Sequence, residues 1–321
     1  MTDTRLADVT EEEILARILP LMGGGGDGVV VGPGDDTAWI EATDGRYLAT
    51  TDAMVRGHDW LDEWSTGQDV GHKTVAQNLA DIAAMGGVPT GLLVTVAADS
   101  GTRLSWLEDL ARGIAEASAA ASVRVVGGDL SGADDTVMVS TTAFGSMQGR
   151  SPVLRSGAQV GDVVAVAGTL GRSGAGFSLL RAGRGDVAPD LVRAHLRPTP
   201  PLDQGPAAAR AGARAMLDLS DGLVRDAGRV ARASGVVVDL HRDALAPHVA
   251  ELAAAVGEEE AWEHVLTGGE EHSLFATFAQ APPGWAVVGA VRAVSQNGEP
   301  GVCLDGQPRS AGGWDHFRAD R

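Results

Sequence analysis

The sequence predicts a mixed α/β protein of two domains, and three observations carry that expectation. Apolar runs of strand length alternate with longer stretches of helical periodicity in both halves of the chain. Its 321 residues suffice for two domains of ordinary size, each able to bury a core. Between the halves, residues 146–161 exchange periodic apolar positions for Gly, Pro, Arg and Ser. The domains are accordingly placed at 1–148 and 149–321.

In chain order, Thr10 and Glu13 have the spacing of a capping box, and Ile14, Leu15, Ile18 and Leu19 supply the apolar face of a first helix. Four glycines, Gly23 to Gly26, end it. Strands are expected at 29–31 and 47–51, a helix over 69–85, a strand over 90–97, an Ala-rich helix over 104–121, and strands over 123–126 and 136–144. The second half repeats the style. It begins with a strand over 163–167, a glycine-rich turn over 168–176, a helix to 182 and a Pro-rich connection at 197–201. A strand over 215–219, a helix over 222–234, a strand over 236–240, more helix to 266, and strands over 274–278 and 286–291 complete it.

Charge and composition narrow the function classes. Lys and Arg number 25 against 43 Asp and Glu, a net charge of −18, yet 44% of residues are hydrophobic and only 21% charged. That is a folded acidic protein, not a disordered tail. Nucleic-acid binding rests on Lys and Arg releasing counterions, so the acidic surplus argues against it. Lys73 is the only lysine, which leaves basic chemistry to arginine. One cysteine, Cys303, excludes an intramolecular disulfide or a thiolate metal cluster and suits a reducing cytosol. Glu11, Glu12 and Glu13 stand where an export signal needs basic and then apolar residues, and no window approaches the roughly 20 apolar residues of a membrane span. A cytoplasmic protein without membrane attachment is expected.

The aspartates keep informative company. Asp35 and Asp36 lie in Gly32-Pro33-Gly34-Asp35-Asp36, Asp52 ends Thr50-Thr51-Asp52, and Asp129 ends Gly127-Gly128-Asp129. Asp218 and Asp221 bracket Leu219 and Ser220. Each group follows an apolar run, so strand-to-loop junctions are expected to present short carboxylates, and strand ends are where α/β folds gather ligands. Asp81 instead shares a helix face with Thr74, Gln77 and Asn78, beside the apolar stripe of Val75, Leu79, Ile82 and Met85. Such a stripe of short polar side chains suggests the lining of a polar cavity. Converging aspartates would repel and protonate unless cations compensate. Oxygen donors without Cys or paired His select Mg²⁺ or Mn²⁺ over Zn²⁺. The alternative is that each Asp is a turn or N-cap residue.

Other segments leave two readings open. Residues 168–174 lack the lysine of a Walker loop, and are either a structural turn or a secondary phosphate contact. Arg150 and Arg155 are surface charges on a linker or a bidentate polyphosphate contact. Gly268-Gly269-Glu270-Glu271-His272 presents carboxylates that are solvated or reach a cationic ligand, and Trp314-Asp315-His316-Phe317 is a terminal anchor or an aromatic lid.

Taken together the motifs resemble the thiamine-monophosphate kinase family, within the aminoimidazole ribonucleotide synthetase-like ATP-binding superfamily. The resemblance runs in order through Gly34-Asp35-Asp36, Thr50-Thr51-Asp52, Asn78 to Gly86, Gly127-Gly128-Asp129, Arg155 to Asp162, His195-Leu196-Arg197-Pro198, Asp218 to Leu223, Gly268-Gly269-Glu270 and Trp314 to Phe317. It implies two mixed α/β domains, with N-terminal sheets pairing across a homodimer and an active site between the domains. The implied activity is Mg²⁺-dependent transfer of a phosphoryl group from ATP to thiamine monophosphate, directly in line and without a side-chain nucleophile. Carried over by position, Asp36, Thr50, Thr51, Asp52, Asp81, Asp129, Asp218 and Asp221 would be magnesium ligands, with Asp35 in support. Gly128, Asp129, Arg150 and Ser220 would contact ATP, and Asp59, Glu270 and Trp314 would contact thiamine monophosphate. A cationic thiazolium suits carboxylate and indole neighbours.

Two departures stand out. Gly57-His58-Asp59-Trp60 puts Asp at the family's usual His position, one residue after a His, and Glu271-His272-Ser273 replaces the more usual Asp-Tyr-Glu. Rival readings are another enzyme of the same superfamily, or a regulator that binds magnesium or nucleotide without catalysis. Selenophosphate synthetase would be expected to carry a reactive Cys or selenocysteine and a Lys near its N-terminus, and neither is present.

Overall fold

The protein is described here by a computed structural model. It describes residues 4–22, 29–31, 39–42, 44–296, 298–310 and 312. The chain divides into two compact units, one of Met1–Ile82 with Gly87–Arg150, the other of Ala83–Gly86 with Ser151–Arg321.

The first unit opens with a 3-10 turn, Leu6–Asp8, and helix α1, Glu11–Met22. The capping box that the sequence predicts is formed: the Thr10 N–H donates to Glu13 Oε2 at 2.8 Å and the Glu13 N–H to Thr10 Oγ1 at 3.3 Å. Short strands β1, Val29–Val31, and β2, Trp39–Ile40, pair with each other. Then follow β3 (Leu48–Val55), α2 (Gly67–Ala84), β4 (Val88–Ala98), α3 (Leu104–Ala120), β5 (Arg124–Gly132) and β6 (Val137–Ser146). They build a four-stranded sheet in the order β3-β6-β4-β5. Strand β6 is antiparallel to both neighbours, while β4 and β5 run parallel. Along β6, Val137, Val139, Thr141, Ala143 and Gly145 are buried and alternate with half-exposed residues, so among the described residues one face of this strand is the more fully covered.

Two expectations change here. Strand β3 continues to Val55 and β5 to Gly132, so Asp52 and Asp129 lie inside strands and not at strand-to-loop junctions. Gly and Asp are weak strand formers, but ladder pairing of Gly127, Gly128 and Asp129 with Leu93, Val94 and Thr95 outweighs that preference.

Helices α2 and α3 meet backbone to backbone. A Cβ on Gly67 would lie 2.3 Å from the Trp106 carbonyl oxygen, one on Gly71 2.5 Å from that of Leu110, and one on Gly113 2.1 Å from that of Gln68. No other residue permits this approach, which seats Val75, Leu79 and Ile82 of α2 in the core.

The second unit comprises β7 (Val163–Ala167), α4 (Arg172–Arg181), α5 (Pro189–Leu196), α6 (Gln204–Arg210), β8 (Ala215–Asp218), α7 (Leu223–Ser234), β9 (Val237–Leu240), α8 (Arg242–Val256), α9 (Glu258–Thr267), β10 (Leu274–Phe278), β11 (Ala286–Arg292), β12 (Gly301–Leu304) and β13 (Gln307–Arg309). Its seven strands order as β13-β12-β9-β11-β7-β10-β8, antiparallel except for β9 with β12. Strand β10, between β7 and β8, is buried throughout and sends alternate side chains to two cores. Phe275 joins Val164, Val166 and Leu217 on one face, and Leu274, Ala276 and Phe278 join Ala165, Ala167 and Met216 on the other. Among the described residues no helix is long and apolar enough to cross a membrane.

Gly71→Ala is expected to lower the free energy of unfolding by about 1–3 kcal/mol, read as a lower urea midpoint. An unchanged midpoint would contradict backbone contact at the α2–α3 crossing.

Candidate functional site

In the first unit, α2 aims the predicted polar stripe at the sheet. Thr50 Oγ1 donates to Asp81 Oδ2 at 2.7 Å, the Asp52 N–H donates to Asn78 Oδ1 at 3.1 Å, and Asn78 Nδ2 donates to the Thr74 carbonyl at 2.8 Å. Thr74 and Thr141 hydroxyls meet at 3.0 Å, and both residues are fully buried, as is Asn78. Thr74, Asn78 and Asp81 of the stripe therefore make a hydrogen-bonded helix-to-sheet contact. Short side chains are needed because the helix backbone lies close to the strands.

Strand register fixes where the remaining residues stand. One row across the sheet reads Asp52, Thr141, Val94 and Gly128, and the next Ala53, Ser140, Thr95 and Asp129. Asp52 shares the helix-covered face with buried Thr141. Asp129 alternates onto the opposite face, as does Thr51, whose hydroxyl accepts from Thr142 Oγ1 at 3.2 Å and donates to the Thr141 carbonyl at 3.1 Å. Ser131 Oγ donates to Asp129 Oδ2 at 2.7 Å. Asp52 and Asp129 thus sit on opposite edge strands, three inter-strand steps or about 14 Å apart.

Asp59 occupies the turn after β3. Its Oδ2 accepts the Val55 N–H at 2.7 Å and its carbonyl oxygen lies 3.5 Å from the buried Lys73 Nζ, while His58 is exposed. Arg150, at the end of the unit, donates from NH1 to Gln148 Oε1 at 3.2 Å.

In the second unit the predicted residues gather around the end of β8. Asp218 is its last residue, buried, with Oδ2 3.2 Å from His272 Nδ1. Asp221 follows in the turn and pairs with Arg229 and, at 3.7 Å, with Arg225. Asp226, absent from the sequence expectations, holds this turn: its Oδ2 accepts the N–H groups of Asp221 at 2.9 Å and Gly222 at 3.1 Å, and Arg229 pairs with its Oδ1. Burial, with Asp218 and Asp221 nearby, pushes Asp226 up to about 7 against the pull of the Asp221 N–H and Arg229. Its place one helical turn after Gly222 was the available signal.

The segment 268–273 joins this group. Glu270 and His272 both adopt left-handed backbone, φ 58° and 53°, so three consecutive side chains diverge. Glu270 N–H donates to the Ser220 carbonyl at 2.8 Å and its carboxylate approaches His195. Glu271 turns inward and is buried: it accepts the Ser173 N–H at 2.9 Å, at the start of α4, and the Thr169 hydroxyl. Thr169 N–H donates to Ser273 Oγ at 2.9 Å, so protein groups hold the glycine-rich turn at this point.

Asp35, Asp36 and Trp314 lie outside the described residues. Among the described residues no three His, Cys, Asp or Glu side chains converge to hold a metal. The donor types nevertheless suit a hard cation, since Thr50, Thr51, Asp52, Asp81, Asp129, Asp218 and Asp221 offer only oxygen. A cleft of about 450 Å³ lined by Leu6, Val9, Ile14 and Leu130 contains none of the predicted site residues.

Residues 34–147 match the family described as AIR synthase related protein, N-terminal domain, and residues 159–294 its C-terminal domain. A thiamine-monophosphate kinase of Mycobacterium tuberculosis (strain ATCC 25618 / H37Rv) is 44% identical over 293 residues, 90% of this chain and 86% of that protein. One from Corynebacterium glutamicum is 36% identical over 88% of each chain. The solved structure of AaThiL complexed with AMPPCP and TMP covers 99% of this chain and 100% of its own, with a TM-score of 0.78 and 30% identity. Thiamine-monophosphate kinase from Stenotrophomonas maltophilia K279a also gives 0.78, at 27% identity over 93% and 96% of the two chains.

Burial raises the Glu271 carboxyl above the ordinary range despite its hydrogen bonds to Thr169 and Ser173. The folded chain then keeps a proton that the unfolded chain has lost, so this group's stabilisation is present below the ordinary carboxylate pKa and is lost as pH rises through the raised value. Glu271→Gln should remove that loss. Urea unfolding across this range should show wild type weakening relative to the variant as pH rises, and parallel curves would contradict the assignment.

Proposed function

The chain belongs to the thiamine-monophosphate kinase family of AIR synthase related proteins, and on that premise we propose that it transfers the γ-phosphoryl group of ATP to thiamine monophosphate, yielding thiamine diphosphate and ADP. The observation that carries the proposal is the fold shared along nearly the whole chain with AaThiL, a structure complexed with AMPPCP and TMP. Consumption of ATP fits a cytoplasmic enzyme.

The acceptor is a phosphate monoester, already ionised near neutral pH, so no strong base or side-chain nucleophile is required. A substrate phosphate oxygen attacks the γ-phosphorus in line, the bond to the β-phosphate oxygen breaks, and ADP leaves with that electron pair. The protein's task is alignment and charge control. Gly128, Asp129, Arg150 and Ser220 are assigned to ATP, and Asp59, Glu270 and Trp314 to thiamine monophosphate. The carboxylates of Asp36, Asp52, Asp81, Asp129, Asp218 and Asp221, with Thr50, Thr51 and Asp35, would hold magnesium. When bound, magnesium supplies neutralisation of phosphate charge, which lowers the repulsion between attacking and transferred groups.

The geometry of the sheet supports the homodimer reading. Ligand oxygens on one magnesium lie about 2 Å from it, so Asp52 and Asp129 cannot share an ion across about 14 Å of their own sheet. A second copy with its β5 laid along β3 would bring one chain's Asp129 beside the other's Thr51 and Asp52. Among the described residues β3 and β5 are the outer strands of the four-stranded sheet, which supports such an arrangement.

Purified protein given ATP, Mg²⁺ and thiamine monophosphate should form thiamine diphosphate and ADP in equal amounts, and ADP formed equally well without the acceptor would overturn the assignment. Asp52→Asn and Asp129→Asn should each reduce turnover by at least about 100-fold while leaving the circular dichroism spectrum unchanged. Near-normal turnover in both would remove the magnesium assignment.

A further inference from the structure

His195 closes α5 and is only 5% exposed, its ring tilted against Phe177 at 5.2 Å between centroids. Its Nδ1 lies 3.3 Å from Glu270 Oε2 and 3.2 Å from the Oγ of buried Ser173. Serine, histidine and glutamate invite comparison with a hydrolytic triad, but such a relay needs the serine and the acid on different ring nitrogens. Here both face one nitrogen. A single Nδ1–H can donate to a carboxylate and orient it, and it cannot pass a proton from serine to acid.

Glu270 needs such orientation. It is a half-exposed side chain on a left-handed backbone, next to a second carboxylate that points elsewhere. The Ser220 carbonyl fixes its N–H, Glu271 anchors the following residue to α4, and His195 approaches the carboxylate itself. We propose that His195 is the positioning residue for Glu270, donating from Nδ1 so that the carboxylate is held and aimed for the cationic ring of the phosphorylated acceptor. This rests on the kinase assignment above. The glutamate recognises the cation, and His195 acts only through it.

The geometry dictates the variants. Asn places its amide nitrogen where Nδ1 sits, two bonds beyond Cβ, whereas Gln reaches the position of Nε2 and Leu supplies no donor. His195→Asn should keep the KM for thiamine monophosphate within about threefold of wild type, and His195→Gln and His195→Leu should raise it about tenfold or more, as expected for losing a hydrogen bond to a charged group. The KM for ATP should not move. Glu270→Gln should weaken acceptor binding, measured by calorimetry without ATP, and adding His195→Leu to it should cost nothing further. Additive losses in that double variant, equal rises in both KM values, or an unchanged KM for thiamine monophosphate in the Gln and Leu variants would each overturn the proposal. Absence of thiamine diphosphate from the wild-type protein would instead overturn the kinase assignment, leaving the calorimetric cycle to judge His195.

Discussion

Strand register in the first unit separates Asp52 from Asp129 by the full width of a four-stranded sheet and assigns them to opposite faces. That separation constrains everything proposed for the unit. Carboxylates sharing a cation must approach within a few ångströms, and hydrogen-bonded strands cannot slide to allow it without breaking the ladder and inverting every side chain. The glycine-mediated crossing of α2 and α3 tightens the constraint from the covered face. It keeps α2 in the core, and with it the contacts from Asn78 to the Asp52 backbone and from Thr50 to Asp81. The two edges of the sheet are therefore held a fixed distance apart within this unit.

The second unit solves a different problem, the control of several carboxylates in one small volume. Asp218, Asp221, Asp226, Glu270 and Glu271 gather at the end of β8 and in the segment 268–273, and each has a counterpart, Arg229 being shared by Asp221 and Asp226. Arginines face Asp221 and Asp226, His272 faces Asp218, His195 faces Glu270, and the start of α4 faces Glu271. Two left-handed residues separate the last three side chains. Without them neighbouring carboxylates would compete for one partner, and their repulsion would drive protonation.

Much of this was legible from residue order. Periodicity located the main helices and the central strands, and Thr10 with Glu13 marked a helix start that the structure forms. Site residues could be named one by one because short carboxylates beside glycine are conspicuous. Their arrangement could not. Gly127, Gly128 and Asp129 read as a loop because isolated propensity disfavours a strand, whereas pairing with β4 decides the matter. Helices α5 and α6, of 8 and 7 residues, are too short to establish a period and lie beside prolines. Nothing in Glu-Glu-His announces left-handed backbone, so the inward turn of Glu271 was hidden, and His195 appeared only as part of a motif. Gly67, Gly71 and Gly113 resemble ordinary glycines until two helices are seen to cross on them.

In the proposed dimer each working site combines β3 of one chain with β5 of another. This arrangement is tested most directly by mixing chains carrying Asp52→Asn with chains carrying Asp129→Asn and measuring thiamine diphosphate formation. In a mixed dimer of the proposed kind one site collects both substitutions and the other none, so with random pairing activity should recover to about a quarter of wild type. If both aspartates served a site within one chain, every site in the mixture would carry a substitution. Activity no higher than that of either variant alone would contradict the account.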